Sequence, residues 1–136
     1  MQARELGLML AAGALCAAGA AGATGTAAAQ GTDSLPPGVT ATMVKEGASV
    51  FKGPGMCIVC HGPDGKGAVG PNLTDAIWLH SKGTYDDIVK QVTSGVPVKE
   101  STNGIPMPPK GGSGITEAQV KAVAAYVWSL SHPAAN

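Results

Sequence analysis

Residues 57–61 read Cys57-Ile58-Val59-Cys60-His61, two cysteines and a histidine within five positions of a chain that has only three cysteines. Three kinds of chemistry use such a cluster: a disulfide, a zinc site, or a haem held through two thioether bonds. A disulfide across two intervening residues closes a very small loop and removes little entropy from the unfolded chain. As a redox pair it calls for a thioredoxin-like βαβ context, and no such alternation surrounds it. A structural zinc needs four ligands. Adjacent Cys60 and His61 point apart, His80 and His132 stand alone, and there is no second cysteine pair. Haem attachment fits the spacing. The two sulfurs add to the two vinyl groups on one porphyrin edge, a helical turn spans the gap, and His61 follows in position to give its imidazole to iron.

The rest of the sequence agrees with a domain built around something large. At 136 residues one domain is expected. Phe51, Trp78, Tyr85, Tyr126 and Trp128 are the full aromatic set. So few large side chains make a self-sufficient core hard to build, which points to an apolar cofactor at the centre. Nine basic residues balance nine acidic ones. No basic run and no aromatic-basic interleaving marks a nucleic-acid partner.

Arg4, the apolar stretch from Leu6 to Ala23, and Ala27-Ala28-Ala29 together predict a secretory signal peptide over residues 1–29, cleaved after Ala29. The alternative is an uncleaved anchor, since the stretch is about long enough to span a bilayer. Its Ala- and Gly-rich composition makes it weakly apolar. Cys16 follows Leu15, with Gly13 three before it, and does not fit a lipoprotein signal. No later segment is long and apolar enough to cross a membrane. The expected product is exported and soluble, with no transmembrane segment after cleavage. It carries eight lysines against eight acids from Gln30 onward.

Residues 30–39, with Pro36-Pro37, read as a flexible arm, and residues 40–136 as the folded domain. A first helix is expected over Thr40 to Phe51, with Met43, Val44, Ala48 and Phe51 near one face. Gly53-Pro54-Gly55 stops it. Gly62 to Asn72 is loop, and Asp75 to Leu79 is expected to form one helical turn. Thr84, with Asp87 three later, opens another helix that buries Ile88, Val89 and Val92 and ends at Gly95. Gly95 to Gly114 is a long proline-rich loop. The last helix starts at Thr116 with Gln119 as a capping box. It carries the stripe Val120, Val123, Ala124, Val127 and Leu130, and Pro133 closes it. The fold class is all-α: about four to five helices, joined by long Gly/Pro loops that need something to order them.

A helix, then Cys-x-x-Cys-His, then loops, then a terminal helix resembles the small class I cytochrome c fold around one covalent haem. The resemblance covers nearly all of residues 40–136. Gly70-Pro71-Asn72-Leu73, Thr74-Asp75-Ala76-Ile77-Trp78-Leu79, Met107-Pro108-Pro109 and Ala124-Ala125-Tyr126-Val127-Trp128-Ser129-Leu130 sharpen it. They look most like the haem domains of the cytochrome c subunit (subunit III) of cbb3-type oxidases. That subunit is usually membrane-anchored with two haem motifs, whereas this sequence shows one.

The resemblance implies one haem c, covalent through Cys57 and Cys60, with His61 as axial ligand and Met107 as the sixth. A thioether is soft and raises the potential, and the prolines around Met107 restrict its loop. The alternative for Met107 is a packing methionine. Met56 lies on the attachment side and Met43 in the first helix. His80 is a rival ligand or an exposed polar residue, and His132 is expected at the surface. The resemblance also implies that the Pro71 carbonyl accepts the second ring proton of His61. It implies that Trp78 lines the haem, core packing being the alternative, and that Gly47 and Phe51 sit where the first and last helices cross near Tyr126. The expected function is periplasmic one-electron transfer, with no substrate bond made or broken. Redox proteins as donor and acceptor would dock transiently at the haem edge. The alternatives are a haem subunit of a terminal oxidase or periplasmic dehydrogenase, and a ligand-binding or peroxide-handling haem protein.

Overall fold

The structure, a computed structural model, describes residues 34–133. The expected signal segment lies outside the described residues, as does the start of the arm. Four α-helices are present among the described residues: α1 (Ala41–Lys52), α2 (Ile58–His61), α3 (Tyr85–Ser94) and α4 (Glu117–Ser131). Short 3-10 turns occupy Val98–Glu100 and Pro109–Gly112. The fold is all-α, as expected.

Three threonines set the helix starts. Thr40 Oγ1 accepts the Met43 N–H at 3.2 Å, so Thr40 caps α1 rather than opening it. Thr84 Oγ1 accepts the Asp87 N–H at 3.2 Å. At α4 the box is reciprocal: Gln119 N–H donates to Thr116 Oγ1 at 3.3 Å, and Thr116 N–H to Gln119 Oε1 at 2.9 Å. Each cap satisfies amides that a helix start otherwise leaves unpaired.

Two segments differ from expectation. Asp75 to Leu79 forms no helical turn. Asn72 Oδ1 takes the Thr74 N–H and Asp75 Oδ1 takes the Ile77 N–H, each at 2.9 Å. These side chains offer the backbone an alternative to helix. The Gly95 to Gly114 stretch is more ordered than a plain loop. Pro97 and Pro108 precede its two 3-10 turns, and Val96 and Met107 pair as an isolated antiparallel bridge, with N–H···O distances of 2.8 and 3.0 Å.

Helix α4 is the spine of the domain. Val120, Val123, Ala124 and Val127 of the expected stripe are buried, but so are Ala122, Ala125 and Trp128. Packing against α1 and against α3 explains why more than one face is covered. Helix α1 crosses it at Gly47, where a Cβ would collide with the Ala122 carbonyl and lie 2.8 Å from Tyr126 Cβ. Phe51 is fully buried and meets Tyr126 edge-on, with centroids 5.3 Å apart at 65°. Ile88 and Val92 complete the core from α3.

Candidate functional site

Helix α2 is a single turn, and it ends on His61. Cys57 O accepts the amides of Cys60 and His61 at 3.2 and 2.9 Å. The following loop folds back onto this turn. Cys60 O accepts Gly70 N–H at 2.8 Å and Val69 N–H at 3.0 Å, while His61 O accepts Gly67 N–H at 2.8 Å. That path brings the Pro71 carbonyl to 2.9 Å from His61 Nδ1. A carbonyl only accepts, so Nδ1 carries the proton and Nε2 presents its lone pair. His61 is 8% exposed. Burial lowers its pKa and the bond to Pro71 opposes that shift. The outcome is a neutral imidazole, the form that binds a metal.

The second donor comes from a distant loop. Met107 is half-buried and packs against the core. Its backbone is fixed by the bridge to Val96, and Gly95, at φ +72°, passes against the Met107 carbonyl, where a Cβ would not fit. His61, Met107, Cys57, Cys60, Pro71 and Trp78 line one cleft. Core residues Phe51, Ile88 and Val127 also face into it. The cleft holds about 1180 Å³ of atom-free space, its mouth included.

Trp78 is half-buried, and Gly83 lies directly on its indole ring. His80 is exposed but lines the same cleft, as does Met56. Met43 is half-buried in α1 and outside the lining. His132 is also outside it. Its ring stacks on Trp128 with centroids 3.9 Å apart, and its Nδ1 sits 2.9 Å from the Trp128 carbonyl. The sequence reading did not single out the polar residues Gln91, Ser101, Thr102 and Asn103, which also line the cleft. The Asn103-Gly104 pair is a turn signal that marks the last of them.

Among the described residues no group of three His, Cys, Asp or Glu side chains converges as a bare-metal site. A neutral imidazole and a thioether facing one apolar cleft, with two thiols on the turn before the imidazole, fit a haem. Residues 42–127 match the family model described as cytochrome C oxidase, cbb3-type, subunit III. The chain belongs to this family. Relatives of the cbb3 family include the cbb3-type cytochrome c oxidase subunit CcoP of Cereibacter sphaeroides. It is 38% identical over 95 residues, covering 66% of this chain and 28% of the relative. The subunit FixP of Sinorhizobium medicae is 41% identical over 91 residues, covering 65% of this chain and 30% of the relative. The CcoP of Rubrivivax gelatinosus is 40% identical over 82 residues, covering 56% and 23%. The chain thus spans under a third of the length of these relatives. No solved structure gives a significant match. Membership makes this a cytochrome c domain, which implies haem c as its cofactor. No helix among the described residues is long and apolar enough to cross a membrane.

Proposed function

We propose that the chain is an exported, periplasmic one-electron carrier, with a single haem attached through Cys57 and Cys60 and ligated by His61 and Met107. The observation that carries this reading is the meeting of the Pro71-bonded His61 and of Met107 in one apolar cleft beside the two cysteines. The reading divides the chain into a cleaved segment 1–29, an arm over 30–39 and a haem domain over 40–136. When bound, the haem supplies one-electron exchange between Fe(III) and Fe(II).

The chain's own residues do the rest. Pro71 fixes the His61 tautomer and ring orientation and raises its donor strength. Met107 gives a soft ligand that favours the reduced state, and the prolines beside it limit how far its backbone moves. Trp78 shields one side of the cleft. The apolar residues Met56, Val59, Val69 and Ile105 are exposed and also line the cleft. They offer a small contact rim for redox proteins, donor and acceptor, of the kind that brief electron-transfer encounters use.

One experiment tests the ligand set. The oxidised, haem-loaded protein should show the weak long-wavelength sulfur-to-iron charge-transfer band. Met107→Ala should abolish it and open the reduced iron to carbon monoxide. A band and a carbon monoxide rate unchanged by that substitution would sink the assignment. A second reading, a haem subunit held within an oxidase, is favoured by the relatives, which are named as oxidase subunits. Stoichiometric co-purification with oxidase partners would select it over a free carrier.

A further inference from the structure

The loops that carry His61 and Met107 meet at a side-chain bond. Asn103 Nδ2 donates to the Val69 carbonyl at 2.6 Å, across 34 positions of sequence. Val69 belongs to the loop folded onto α2, and its own N–H bonds Cys60 O at 3.0 Å. Two residues on, Pro71 holds His61. Asn103 stands four residues before Met107 and next to Gly104, whose φ of +75° lets the chain turn there. The Val96–Met107 bridge holds Met107 to its own loop, whereas Asn103 ties that loop to the other one.

The Asn103 amide has a fixed direction. Its Oδ1 accepts the Ile105 N–H at 3.1 Å and lies 2.9 Å from the Ser101 hydroxyl. The Ser101 oxygen in turn accepts the Asn103 N–H at 3.4 Å. The Ser101 hydroxyl also lies 2.6 Å from the Ile105 carbonyl, so the Ile105 N–H is the donor that fixes Oδ1, and Nδ2 is left for the acceptor across the cleft. Val69, Asn103 and Ile105 all line that cleft.

We propose that Asn103 is a positioning residue for the electron-transfer site. Its bond to Val69 latches the Met107 loop to the His61 loop and so sets how often the sulfur leaves the iron. The proposal rests on the Met107 ligation argued above. A neutral hydrogen bond of this kind is worth ~1 kcal/mol net, so its loss should raise the open population about five-fold.

The test uses the haem-loaded full chain as wild type, Asn103→Asp and Met107→Ala. Asn103→Asp keeps the acceptor for the Ile105 N–H and puts an oxygen where the donor to Val69 stood, so the bond is lost and the two oxygens repel. Asn103→Asp should raise the carbon monoxide binding rate of the reduced protein at least about five-fold. The Met107 amide, which donates to Val96 O within its own loop, should exchange with solvent as in the wild type. The sulfur-to-iron band should survive in the resting oxidised form. If the binding rate stays at the wild-type value while Met107→Ala opens the iron, the latch is wrong and the ligation stands. A faster rate accompanied by faster exchange at the Met107 amide also overturns the latch, because the loop would then be unfolding instead of swinging away whole. If Met107→Ala leaves the band and the rate unchanged, the ligation falls and the latch falls with it.

Discussion

A methyl group on Gly70 would sit 2.9 Å from Cε1 and 3.1 Å from Nδ1 of His61. The backbone at Gly70 needs no unusual φ, so the constraint is space alone: the chain must run across the imidazole to bring Pro71 to its nitrogen. Gly70→Ala should push the ring off the Pro71 carbonyl. It should lower the unfolding free energy of the haem-loaded protein by about 1–3 kcal/mol in urea titrations, the usual range for overpacking. Gly114→Ala is the control, since a Cβ there meets nothing within 4 Å; it should stay within about 0.5 kcal/mol of wild type. Asp87 is a second case at this scale. The Thr84 hydroxyl does most to lower the pKa of its carboxyl; desolvation opposes it, and the Lys82 N–H and the Lys90 charge add smaller lowering effects. Its folded pKa is depressed, so its contribution is present above the ordinary aspartate pKa and is lost as pH falls through the lower folded value. Thr84→Ala should move the Asp87 midpoint upward in a carboxyl NMR titration. An unmoved midpoint would remove the hydroxyl as the main cause.

At the scale of elements, the α1–α4 crossing depends on one missing side chain. A Cβ at Gly47 collides with the Ala122 carbonyl, and backbone in the middle of α4 cannot step aside as a side-chain tip can. Gly47→Ala should therefore cost about 3 kcal/mol or more despite its gain in helix propensity. Circular dichroism during denaturant unfolding measures it, and a neutral result would mean that the helices cross elsewhere. The helix starts at Thr84 and Thr116 were legible in the sequence because a cap is a local device, read from three or four residues, whereas Thr40, expected as the first residue of its helix, is the cap before it. The Asp75–Leu79 turn was misread for a local reason too: the side chains of Asn72 and Asp75 take the amides that a helix would need. The burial of Ala122, Ala125 and Trp128 was not legible from one apolar stripe. It follows from α1 and α3 both packing on α4, a tertiary arrangement that period counting on one helix does not contain.

For the whole molecule, the cleft joins parts of the chain that lie far apart in sequence. Cys57, Cys60 and His61 announce themselves by spacing, and Met107 by its prolines. The Asn103–Val69 bond spans 34 positions between a side chain and a backbone carbonyl, and no residue pattern encodes such a pairing. Net charge, by contrast, is readable: the eight lysines and eight acids from Gln30 onward cancel and leave no net charge to steer an encounter. The exposed rim is apolar instead, with Val59 66% exposed between the two cysteines. Electron self-exchange between oxidised and reduced copies isolates this property, because both partners are then known. Its rate, from NMR line broadening of mixed samples, should change less than about three-fold between low and high ionic strength. Val59→Glu sets like charges face to face at the contact. It should slow exchange at low salt and recover much of the rate at high salt, where the repulsion is screened. A steep salt dependence in the wild type would show that a charged face carries the electrons. The rim around Val59 would then not be the docking surface.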